Sequence, residues 1–248
     1  MPRASREAEM GRNRTGVGTA PENIKKMLSG MDELMEGNAP AGDETAMAGV
    51  RVAYIEHADP VGSVPPPATV KGAAKSGAKM MTGKRPQLFL DQLGARLAFE
   101  RSGARLYEAL ITKCEAAADG VIDLARLRHF CDEEVHHFAL IKECMEKLGA
   151  DPTAQTPCAD VEGMESAGLM QVITDPKTTV AQSLHAILIA ELADNAAWDG
   201  LITLAQKMGH DDMVEQFTEA QQAEREHLET VRAWHEELVL TEADLVKA

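Results

Sequence analysis

The chain has 248 residues, 44% hydrophobic but only 4% aromatic, and a formal net charge of −15. That acidity argues against a polyanion such as nucleic acid as partner, and no run of about 18 uncharged apolar residues exists to span a membrane. Four cysteines without a CxxC pair exclude a rubredoxin-type or zinc-ribbon module.

Residues 1–86 hold 8 of the 11 prolines and 11 of the 19 glycines, including Pro65-Pro66-Pro67, a composition that does not build a core alone. The opening MPRASREAEMGRNRTG has no apolar stretch after its arginines, so it does not read as a secretory signal, and the expected compartment is the cytoplasm. Two amphipathic stretches, Pro21 to Gly37 and Asp43 to Ala58, predict short helices that dock on something larger. Val70 to Pro86, with Lys71, Lys75, Lys79, Lys84 and Arg85, reads as a basic linker, either a partner-binding arm or a solvated tether.

From Leu88 apolar residues recur with the 3.6-residue period of long helices, predicted over about 87–117, 121–149, 178–208 and 211–240. Asp119-Gly120 and Gly209-His210 make short turns that fold the four into two antiparallel hairpins. Gly149 and Pro152 stop the second helix, and the polar residues 150–177 are expected to connect the hairpins along their length. The expected fold is therefore all-α: a four-helix bundle over 87–248 with one long crossover, preceded by an extended N-terminal arm over 1–86. The hairpins also look duplicated, Glu100 to Glu134 spanning 34 residues and Glu191 to Glu224 spanning 33.

Each predicted helix carries a glutamate, and the second and fourth add a histidine three residues on: Glu100, Glu134 with His137, Glu191, and Glu224 with His227. Residues i and i+3 share a helix face, so a carboxylate and an imidazole can reach one metal from a single turn. One Glu from each of two helices and one Glu-x-x-His from each of the others is the set a carboxylate-bridged dinuclear centre needs. At about 100° per residue, Leu127, Phe130, Phe138, Ile141, Met145 and Leu148 fall within about 40° of Glu134, so that acid sits in the apolar stripe. The competing pair Glu133 and His136 points about 100° and 160° away, and Glu134 with His137 is the expected pair unless a π-bulge shifts the register. Glu100, Glu191 and Glu224 sit in similar stripes. Four buried carboxylates repel one another, and two divalent cations would neutralise them.

Neighbours extend the pattern. Arg96 falls within about 40° of Glu100 and is expected either to snorkel outward or to pair with a carboxylate. Gly103 leaves room beside Glu100, for an oxidant or for close helix packing. Asp194 is expected to accept a hydrogen bond from a ligand histidine or to serve as a further ligand. Tyr107 is a redox-active or hydrogen-bonding neighbour, or a core residue. The central carboxylates Glu134 and Glu224 are expected to bridge, Glu100 and Glu191 to be terminal, and His137 and His227 each to cap one metal.

Over about 87–240 the chain resembles the ferritin-like superfamily of di-iron carboxylate proteins, which includes ferritins, bacterioferritins, rubrerythrins and manganese catalases. The resemblance rests on Leu97-Ala98-Phe99-Glu100-Arg101, Glu133-Glu134-Val135-His136-His137-Phe138, Leu148-Gly149-Ala150-Asp151-Pro152 and Ala190-Glu191-Leu192-Ala193-Asp194. These stretches look like an uncharacterised bacterial group of ferritin-like proteins. The chain departs from rubrerythrin in lacking a cysteine-rich electron-transfer module, which implies an external reductant. It departs from storage ferritins in its long N-terminal extension, which argues against a 24-subunit shell.

Carboxylate and imidazole ligands with open positions suit iron, or manganese, better than structural zinc. The expected cofactor is two Fe ions, and the expected activity is ferroxidase or peroxide scavenging with O₂ or H₂O₂ as small-molecule substrate. The alternatives are an O₂-activating oxygenase and a non-enzymatic protein stapled by its metal. A homo-oligomer, a dimer in the simplest case, is the expected assembly, with no nucleic-acid or membrane partner.

Overall fold

A computed structural model describes residues 22, 25–30, 44–67, 85–117 and 120–243. Described residues are all helical or irregular, with no strand among them, and no helix among them is long and apolar enough to cross a membrane. Contacts divide the chain into a smaller unit ending at Asp59 and a larger one from Pro60 onward. In the smaller unit residues 25–30 are helical, and α1 spans Glu44–His57. The parts of the two amphipathic stretches beyond these residues, most of the basic linker and Asp119 lie outside the described residues.

The larger unit contains α2 (Pro86–Ala117), α3 (Leu124–Leu148), α4 (Pro157–Thr174), α5 (Val180–Met208) and α6 (Asp211–Glu242). Their ends follow local chemistry. Asp123 caps α3 by accepting from the amides of Ala125 and Arg126. Thr179 and Gln182 form a reciprocal capping box at the start of α5. Gly149 ends α3 at φ 81°, in the left-handed region, and its N–H reaches back to the last turn.

Residues 150–177 differ from the expected open connection, because they contain the 18-residue helix α4. Only Ser166 and Ile173 of α4 are buried, so its apolar stripe is too thin to register as a periodicity. The helix lies mainly along α2 and also touches α5. Its start is fixed by Thr156, which accepts from Ala159 N, and by Pro157 in the first turn. Upstream, Ser63 N donates to Gln155 O at 2.9 Å, so the segment after Pro60 is tied to the loop before α4.

The core has two apolar layers. One gathers Leu106, Leu110, Leu127, Phe130, Leu184, Ile187, Val231 and Trp234. The other gathers Phe89, Leu93, Ile141, Met145, Trp198, Leu201, Met213 and Phe217. Helices α2 and α6 run from the second layer to the first, while α3 and α5 run the opposite way. Every contacting pair of long helices, α2 with α3, α5 with α6, α2 with α5 and α3 with α6, is therefore antiparallel. Between the layers the same four helices pass through a stretch where the inward positions are charged.

Candidate metal centre

That middle stretch buries Glu100 and Tyr107 from α2, Glu134 and His137 from α3, Glu191 and Asp194 from α5, and Glu224 and His227 from α6, with Arg96 beside them. All six residues singled out by the sequence pattern are at most 3% exposed. The rival pair is not: His136 is exposed and Glu133 half-buried.

Ligand-type atoms converge in two groups, each within 4.8 Å: Glu134, Glu191, Glu224 and His227 in one, and Glu100, His137 and Glu224 in the other. Glu224 belongs to both. Its Oε1 lies 2.5 Å from His137 Nδ1 and its Oε2 lies 3.0 Å from His227 Nδ1, so one carboxylate faces both imidazoles. Glu134, expected with Glu224 to bridge, lies 3.5 Å from the Nδ1 of the His227 ring.

Surrounding residues fix these side chains. Glu133 Oε2 sits 2.9 Å from His227 Nε2, so an imidazole with its proton on that nitrogen would turn Nδ1 toward the carboxylates. Sequence reasoning missed this role of Glu133 because it weighed the residue only as a rival ligand. Tyr107 is both core residue and neighbour: it is 1% exposed and donates its hydroxyl to Glu191 Oε1 at 2.5 Å. Asn195 donates to the backbone carbonyls of Glu191 and Glu224, tying α5 to α6 at the level of the acids. Phe130 and Trp198 pack against the rings of His227 and His137 from the two apolar layers.

At three neighbours the contacts narrow the alternatives that the sequence left open. Gly103 does not open a passage beside Glu100. A Cβ there would fall 2.8 Å from Glu134 Cδ, so the missing side chain makes room for the Glu134 carboxylate. Asp194 meets neither ligand histidine; it is ion-paired with Arg96 Nη2. Arg96 does not snorkel outward either. At 3% exposure it pairs through Nε with Glu100 Oε1 at 2.7 Å, donates to the Asp194 carbonyl, and lies over the rings of Phe99 and Trp198.

The electrostatics follow from burial. Desolvation, aided by Glu224, pushes Glu191 up to about 8. It lifts Glu100 to about 7 against the pull of Arg96, and holds Glu134 and Asp194 well above the usual carboxylate range. Burial alone would push Glu224 up too, but hydrogen bonds from His137 and His227 outweigh it and hold it well below. Burial alone would lower His227, but Glu133, Glu134 and Glu224 together raise it.

Several buried polar atoms here lack hydrogen-bond partners, among them Glu134 Oε2 and Glu191 Oε2. Such atoms are costly unless something else satisfies them. With neutral histidines, the five buried carboxylates and the one guanidinium leave four negative charges, the sum that two divalent cations cancel. The buried Glu/His cluster therefore fits a metal ion.

None of the four cysteines is in a disulfide, and Cys114 and Cys144 are buried in the apolar layers. The family described as Domain of unknown function (DUF892) matches residues 71–244. Neither a curated protein nor a solved structure was found to match the chain.

Proposed function

The chain belongs to the DUF892 family, and from that premise we propose that it is a dinuclear metal protein of ferritin-like four-helix architecture with redox activity. The observation that carries this reading is the pair of buried ligand groups joined by Glu224. Glu134, Glu191, Glu224 and His227 would hold one ion, and Glu100, His137 and Glu224 the other, with iron as the metal and manganese as its closest substitute. When bound, such a pair supplies one electron from each ion to O₂ or H₂O₂, which makes ferroxidase or peroxide-scavenging chemistry the reaction class.

The protein's own residues do the rest. Glu224 faces both imidazoles and so would link the two positions. Glu133 orients His227, and Tyr107 fixes one oxygen of Glu191 through its hydroxyl. The apolar layers on either side limit water, so charge interactions inside are stronger than at a surface. Helix α4 covers α2, where the connection between hairpins would otherwise leave it bare.

Fe(II) oxidation in air by the full chain and by Glu134→Ala tests the proposal. A variant that remains helical should oxidise Fe(II) at least roughly tenfold more slowly, since even groups that only support a ligand cost about 10–100-fold when removed. Oxidation at the unaltered rate would remove the redox reading.

A further inference from the structure

The two ligand groups are not equivalent, because only one is paired with an arginine. Arg96 Nε lies 2.7 Å from Glu100 Oε1, and its Nη2 is paired with Asp194. No Lys or Arg is paired with Glu134, Glu191 or Glu224 among the described residues. Nothing about Arg96 is loose: its guanidinium is buried and wedged over Phe99 and Trp198. An ion entering the Glu100/His137/Glu224 group must share a carboxylate with a guanidinium that cannot lose its charge. It must also settle beside that positive charge at low dielectric, where repulsion is weakly screened. An ion entering the Glu134/Glu191/Glu224/His227 group meets four such residues rather than three, none of them paired with a guanidinium.

We propose that Arg96 is a built-in counter-cation that makes the centre load in order: a tightly held ion at Glu134/Glu191/Glu224/His227 first, then a weakly held, exchangeable one at Glu100/His137/Glu224. This rests on the dinuclear reading above and says which of its two positions is the labile one. The outer side of Arg96 supports exchange there. A cavity of about 40 Å³ lined by Gln92, Ala95, Arg96, Glu162, Ala197 and Leu201 opens beside it. That is room for about one water molecule beside the guanidinium. Glu162 of α4 lines the same cavity as Arg96.

The test is calorimetric titration of the metal-free full chain with Co(II) or Mn(II) under argon, which reads stoichiometry and affinity without any turnover. The wild-type protein should take up two ions in two steps separated by about tenfold or more, the factor that corresponds to ~1.4 kcal/mol. Glu100→Gln should abolish the weak step and keep the tight one. Arg96→Gln should strengthen the weak step and close the gap, while Arg96→Lys, which keeps the charge, should preserve it. Two equal steps in the wild-type protein, loss of the tight step in Glu100→Gln, or an unchanged gap in Arg96→Gln would overturn the inference while leaving the dinuclear reading intact. Uptake of no ion at all would overturn both. If Arg96→Gln does not fold, the wild-type isotherm and Glu100→Gln decide the order of loading, and Arg96→Met, which keeps the apolar stem without the charge, takes its place in reading the gap.

Discussion

A methyl group at position 103 would fall 2.8 Å from Glu134 Cδ, and this close approach makes Gly103→Ala a sensitive probe of where that carboxylate lies. Alanine favours the helix by roughly 1 kcal/mol over glycine, but overpacking costs about 1–3 kcal/mol, so the clash is expected to win. The variant should melt lower than the wild-type chain and hold less metal; equal stability and equal metal content would mean that Glu134 does not occupy this space. At the same scale, the burial of the four glutamates was readable because each sits in an apolar stripe, where a solvated acid has no place. The choice of Glu134 and His137 over Glu133 and His136 as the buried pair followed from a 100° step. The fate of Arg96 was not readable in that way. An arginine at a stripe edge gives the same pattern whether it reaches outward or inward, and the partner that decides it, Asp194, lies 98 positions away on another helix. The Asp194 pairing with Arg96 was hidden for the same reason: helical phase says that it faces in, not which side chain waits there.

The long helices were legible because their length gives many turns of periodicity, and α3 and α5 begin at a side-chain cap and end at a glycine. Gly149, at φ 81°, should tolerate no side chain without strain. Gly149→Ala is expected to cost about 1–2 kcal/mol in thermal or urea unfolding while leaving metal stoichiometry unchanged. A neutral effect on stability would mean that α3 ends in another conformation. Helix α4 shows where periodicity fails. With two buried residues in 18 it is held by its placement along α2 more than by its own stripe. The Thr156-Pro157 start signal was present in the sequence, yet residues 150–177 contain enough polar and turn-forming residues to hide it. The chain directions reported by the apolar layers explain why a long connection is needed. Helix α3 ends in one layer and α5 begins in the other, so the chain must return along the full height of the unit.

At the scale of the whole molecule, the buried acids make stability without metal depend on pH with a definite sign. Glu100 at about 7 and Glu191 at about 8, against an ordinary 4.5, keep protons in the folded state that the unfolded chain has released. Stability is therefore greatest near pH 4.5–5 and falls as pH rises toward 8. The raised His227 adds to the fall above its ordinary 6.5, whereas the lowered Glu224 costs stability only as pH drops below 4.5. Metal-free protein should thus melt at a higher temperature at pH 5 than at pH 8. Saturation with Mn(II) should reverse that order, because metal displaces the protons and binds more tightly as they leave. A metal-free protein that becomes more stable from pH 5 to pH 8 would show that these carboxylates are ionised and satisfied by other means. The central claim is tested most directly by elemental mass spectrometry of the full chain purified without chelator or added metal. The account predicts close to two iron or manganese ions per chain, whereas a folded protein that is consistently metal-free and unable to take up Fe(II) would contradict it.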